Sequence, residues 1–280
     1  MSAEDQPEEP RRTQPRSVRM KAERVSDEPI TRVRQIEAAL EVFNQLEGQP
    51  RSVSLSGPPW HMPDDDPRLL RKQRSEAILA EERIQFSKHM PPIEGADEVT
   101  LRPLSEVHQR VAILYCMSLF ARGNTDDRWP TLEQLSAIGA MEAASPFERE
   151  FLEGARDFDE QETTNAWWLL DAAAQLLWAL GADVFLEWFP KDGTSLAKVG
   201  KAMPPPTQLA EVYPQLIDLD EILDRTDLTY RLHWASKPNR DGSLRCTWLS
   251  HSALMERHKA LNWLIGYRGY ATWDEVTTDT

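Results

Sequence analysis

The last quarter of this chain crowds together side chains capable of acid–base chemistry. Asp224, Tyr230, Arg231 and His233 come first, and Glu256 and His258 follow after a polar break. A hydrolase-like enzyme would use such a set with an imidazole as general base and a partner to orient it. The surrounding sequence argues for a plainer role. It contains no HExxH, no G-x-S-x-G and no cysteine–histidine pairing in a nucleophile context. Asp227 and Arg231 have the i,i+4 spacing of an ion pair on one helix face, with Trp234 next along it. Asp220, Asp224 and Asp227 also lie near one face, where they would either hold a divalent cation or pair with Arg231 and Arg257. Pairing is the expectation, with no metal and no cofactor. His258 shares an apolar face with Leu254, Leu261 and Ile265, so its imidazole must be oriented by a partner such as Asp224, Asp274 or Asn262.

Positioning these groups takes helices. Helical spacing runs over 219–235 and again from a Ser250 or Ser252 cap to Gly266. Upstream, residues 162–180 form the most apolar helix, stopped by Gly181 and expected at the centre of the fold. Trp168, Asp171, Gln175 and Trp178 share one of its faces. A buried carboxylate without a partner is costly, so this stripe is expected to meet the C-terminal cluster. On that reading Trp168, Asp171 and Trp178 join Asp227, Arg231 and Trp234 in a structural polar network. Glu256, Arg257, His258, Asn262 and Trp263 extend it along the last helix, and Trp273 with Asp274 closes it from the tail.

Earlier elements follow from capping and breaking residues. Pro67, behind Asp64-Asp65-Asp66, opens a helix reaching about Phe86. Residues 104–121 read as a buried helix stopped at Gly123-Asn124, with His108 capped or in the core. Short helices are expected near 131–139 and 146–155, the latter entered through Ser145-Pro146. The run Pro204-Pro205-Pro206 reads as a rigid connector. Residues 1–28 mix prolines with opposing charges and almost no apolar content, the composition of a disordered tail. Residues 29–66 carry a helix over Thr31–Leu46 and a loop in which Val53 and Leu55 suit a short strand.

Charge and composition exclude several classes. A net charge of −14 argues against a general nucleic-acid binder, which needs clustered Lys and Arg. No run approaches the roughly 18 apolar residues of a membrane span, and Met1–Pro29 lacks the apolar stretch of a signal peptide. Cys116 and Cys246 are the only cysteines, neither a disulfide framework nor a zinc set, which suits a reducing cytoplasm. Ten tryptophans supply large, oriented packing area.

Several ordered blocks carry a family resemblance. Leu176 to Gly181, Glu221 to Asp224, Tyr230 to Ala235, Glu256 to Leu264 and Trp273 to Thr280 resemble the family called domain of unknown function 4272. Arg74-Ser75 and the region from Leu101 to Leu119 are similar too, so the likeness spans roughly residues 68–280. Leu169 and Asp171 depart from the family, whose members often have a basic residue and a glutamate there. The resemblance implies a helical cytosolic protein and brings no established activity. Sequence alone therefore predicts a mainly α, single multi-helix domain over 67–280, preceded by its tail, helix and loop. The expected role is a non-enzymatic interaction or regulatory protein, of the kind in which an immunity protein neutralises another protein. The alternative is a hydrolase-like enzyme built on the acid, histidine and arginine cluster.

Overall fold

Ten α-helices account for nearly all the regular structure, and no strand occurs among the described residues. The computed structural model describes residues 62–280 apart from 125–127, 185 and 240, and without the side chains of 128–130. The tail expected over 1–28, the helix over 31–46 and the strand at 53–55 lie outside the described residues.

The helices begin where capping chemistry starts them. α1 (Pro67–Glu81) has Pro67 in its first turn, and the Asp66 carboxylate accepts the Arg68 amide at 2.8 Å. It stops short of Phe86, at Glu81. α2 (Leu104–Ala121) runs to a positive-φ turn at Gly123. α3 (Arg128–Ala137) is the short helix expected near 131–139, and an unexpected α4 (Ala140–Ala143) follows once Gly139 turns the chain with φ +74°. α5 (Pro146–Glu153) starts in a capping box, in which Ser145 and Glu148 satisfy each other's backbone amides. A second box formed by Asp159 and Glu162 starts α6 (Glu160–Ala179) slightly earlier than apolar periodicity alone implies. After α7 (Leu196–Ala202), the proline run leads into a short 3-10 turn and α8 (Leu209–Val212). α9 (Leu219–Ser236) is capped by Asp218, and α10 (His251–Leu264) by Ser250.

Packing follows a chain of neighbours. α2 and α10 both pack on α6, α9 packs on α10, and α1 packs on α9. α6 is accordingly the most enclosed element, with every residue from Leu170 to Leu177 buried. The main apolar core joins α2, α6 and α10 through residues such as Leu114, Leu170, Leu177, Leu261 and Leu264. A smaller cluster of Leu79, Leu228, Leu232 and Leu254 ties α1 to α9 and α10. Burying each leucine is worth about 1.5–3 kcal/mol.

One glycine locks the C-terminal end in place. At Gly266 φ is +68°, and a Cβ there would sit 2.7 Å from the Thr100 carbonyl oxygen. That close approach lets the Thr100 and Arg102 amides donate to carbonyls at the end of α10, that of the capping Ile265 at 3.3 Å and that of Leu264 at 3.0 Å.

Candidate functional site

The polar side chains singled out by the sequence are mostly inside the protein, and they divide among four places. The first lies between α6 and α10. Asp171 is 1% exposed, and its Oδ1 accepts from Arg257 Nε at 3.1 Å and Nη2 at 2.9 Å. The Thr194 hydroxyl donates to the same oxygen at 2.6 Å, and its amide reaches Oδ2 at 3.1 Å. Arg257 also donates to the Glu187 carbonyl at 2.7 Å. Gly193 allows the loop this approach, since a Cβ there would meet the Trp168 ring at 2.9 Å and Asp171 Oδ2 at 3.3 Å. Trp168 therefore walls the loop rather than the ion pair.

The second place lies between α1 and α9. Arg231 is fully buried and makes a two-pronged pair with Asp227, Nε to Oδ2 and Nη2 to Oδ1, each at 2.8 Å. Its Nη2 also reaches the Pro91 carbonyl at 3.2 Å, and Glu76 lies 3.7 Å from Nη1. Lys72, bonded to the half-buried Glu76, completes a set of two cations and two anions. Asp220 and Asp224 do not pair with Arg231 or Arg257. They turn outward to α1, where Arg71 meets Asp220 at 3.1 Å and Asp224 at 3.0 Å, and Arg74 meets Asp224 at 2.6 Å. These three aspartates thus have basic partners on two helices, and no group of His, Cys, Asp or Glu among the described residues is arranged to hold a metal ion.

The third place is a histidine cluster between α9 and α10. His258 is oriented by His233 rather than by an acid or Asn262, with the two Nδ1 atoms 3.0 Å apart. One ring must donate and the other accept, so the contact exists only while both Nδ1 positions share a single proton. Burial pushes both imidazoles well below their ordinary pKa, and the charge of Lys237 acts in the same direction on each. His251 stacks at 5.1 Å from the His233 ring and bonds to Ser236 at 3.0 Å, while the Tyr230 ring lies 5.6 Å from His258. Asn262 instead donates to the Thr277 carbonyl at 2.9 Å, holding the tail.

Glu256 forms the fourth place alone. It is 8% exposed, and among the described residues its Oε2 has no hydrogen-bond partner. Burial lifts its carboxyl to about 7; the positive charge of Lys259 opposes this and the negative charge of Asp171 adds to it. The six candidate catalytic residues are therefore spread over separate surroundings: Asp224 at the α1 face, Arg231 in its ion-pair set, Tyr230, His233 and His258 in the histidine cluster, and Glu256 apart.

The remaining members sit at the edges. Arg225 lies 4.4 Å from the Trp188 ring and 5.7 Å from Trp178, and its Nε donates to Gln175 at 3.3 Å. Trp234 is half-buried under Arg245 at 4.0 Å, away from the Arg231 pair. Trp273 is buried edge-on to Trp263, with ring centroids 6.0 Å apart, but Asp274 beside it is exposed.

Asp274 stands on the rim of a cleft of about 530 Å³ that the sequence reading missed. Glu106 and Arg110 of α2, the turn Ala143–Pro146, Trp263 and the segment 271–274 line it. Its buried anchor is Arg110, which pairs with Glu148 at 2.5 Å. The one signal for that pair was the Ser-Pro-x-Glu capping pattern, which fixes Glu148 in the first turn of α5.

Fold and site together define a mainly helical domain with ion-paired carboxylates and arginines sealed between its helices. A family model described as a domain of unknown function, DUF4272, matches residues 71–276, and the chain belongs to that family. No curated protein and no solved structure matches the chain. No helix among the described residues is long and apolar enough to cross a membrane.

Proposed function

We propose that this chain is a non-enzymatic interaction protein of the cytoplasm, acting as an immunity protein does by binding and neutralising another protein. One observation carries the reading: three of the six candidate catalytic side chains, Arg231, His233 and His258, are committed to partners beneath the surface. Arg231, His233 and His258 are each at most 3% exposed, and their partners are Asp227 and each other. Two charges held this way specify packing, since a carboxylate that already receives two guanidinium bonds has little capacity left for a substrate. The open cleft, by contrast, presents the carboxylates of Glu106 and Asp274 to solvent, as a binding face does.

The test is co-expression of the full chain with the product of an adjacent reading frame that impairs growth. The expected result is restored growth and a stoichiometric complex in size-exclusion chromatography. Turnover of ester, phosphate or glycoside substrates by the purified chain, lost in His258→Gln, would overturn the reading.

A further inference from the structure

The cleft is chemically specific enough to name its occupant. At about 530 Å³ it falls in the size range of ligand pockets, roughly 300–1,000 Å³. Its floor is the Trp263–Trp273 pair, with the Arg110 guanidinium 5.2 Å from the Trp273 ring and 5.9 Å from the Trp263 ring. Arg110 is 7% exposed and only partly satisfied. One bond goes from Nη1 to Glu148, Nη2 reaches the Ala143 carbonyl only at 3.5 Å, and Nε–H has no acceptor. A buried guanidinium with spare donors is costly until an oxygen meets them.

At the rim the sign of the charge reverses. The Glu106 side chain is 46% exposed, and among the described residues its ion-pair partner is Arg102 at 3.8 Å. Arg102 is itself engaged by the backbone carbonyls of Trp263 and Tyr270. Asp274 is exposed and has no ion pair among the described residues. The cleft thus offers a loosely held Arg110 Nη2 at depth, the edges of two tryptophans and carboxylates at its mouth. A fitting ligand carries an acceptor oxygen close to a cation on an apolar stem. A peptide with an arginine or lysine has all three, and its side-chain methylenes can lie along tryptophan.

We propose that this cleft docks a basic peptide segment of a partner protein. Glu106 and Asp274 hold its arginine or lysine head, and Arg110 Nη2, held by Ala143 only at 3.5 Å, takes a main-chain carbonyl oxygen. The net charge of −14 favours approach of such a partner. The proposal rests on the interaction reading above and supplies the partner's chemistry.

Fluorescence anisotropy with the full chain tests it, using labelled heptapeptides whose central residues are arginine, lysine or glutamate. The arginine and lysine peptides should bind saturably and the glutamate peptide should not. The surface double variant Glu106→Gln, Asp274→Asn should weaken binding about tenfold while leaving the melting midpoint in place. Arg110→Lys should weaken it as well, in a chain that still unfolds cooperatively. Equal binding of the glutamate peptide, an unaffected double variant, or displacement by spermidine at parity with the peptide would each overturn the proposal. A partner complex that survives the double variant removes the cleft and leaves the interaction reading standing. If no partner is found, the peptide titration still judges the cleft.

Discussion

Replacing Glu256 by glutamine should stabilise the protein, and by an amount that grows with pH. The side chain is 8% exposed, and among the described residues its Oε2 has no partner. Burial raises its carboxyl from 4.5 to about 7, so between those values the folded chain holds a proton that the unfolded chain has released. Stability is therefore lost as pH rises through that window. The penalty is under about 1 kcal/mol near pH 5 and about 3 kcal/mol by about pH 8. Glutamine keeps the shape without the charge, so any fixed cost of its amide cancels when the two pH values are compared. Urea unfolding of wild type and Glu256→Gln at both values reads the difference. The variant should gain about 2–3 kcal/mol on wild type between them. A gap that stays constant, or one that favours wild type at the higher pH, would refute an uncompensated buried acid.

The histidine pair should make the fold acid-sensitive. His233 and His258 titrate well below their ordinary value when folded, so stability is complete above the unfolded histidine pKa and falls as pH drops below it. His258→Gln should flatten that acid limb in urea titrations from about pH 7 to about pH 5; a limb of unchanged slope would contradict it. Trp273→Ala should lower the unfolding free energy by about 3–5 kcal/mol, since the ring is buried against Trp263. A loss within experimental error would show that the tail is not anchored there. Cys116, whose thiol burial pushes up to about 12, should react with a thiol reagent only as fast as the protein opens. Prompt labelling of the native chain at Cys116, mapped by mass spectrometry, would contradict its burial.

Local chemistry made much of this legible beforehand. A stop residue and helical spacing placed α2 and α9 closely, because Gly123 acts within a turn of the helix it terminates and the period of about 3.6 residues marks α9 directly. The Asp227–Arg231 pair was readable for the same reason, as i,i+4 spacing determines proximity on a helix. Long-range pairings were not. Asp224 meets Arg71 and Arg74 across α1 and α9, helices far apart in sequence, and periodicity cannot choose between those arginines and Arg257. His258 looked in need of an acid or Asn262, yet the packing of α9 on α10 supplies His233. Asp274 and Trp273 are sequence neighbours with opposite fates, because the segment lays its indole on Trp263 and leaves the carboxylate at the cleft mouth. The cleft itself depends on three separated stretches meeting, and no one of them announces it.

The central claim is that the buried arginines of the polar cluster hold the fold together. It is tested most directly by the unfolding free energies of Arg231→Ala and Arg257→Ala beside wild type. Each removal strands a carboxylate, Asp227 or Asp171, in a closed interior. The loss should be about 3–5 kcal/mol in each variant, a large part of the 5–15 kcal/mol typical of a whole domain. Residues kept for catalysis are often neutral or unfavourable to stability. Variants that unfold at the same or higher denaturant concentration than wild type would contradict the account.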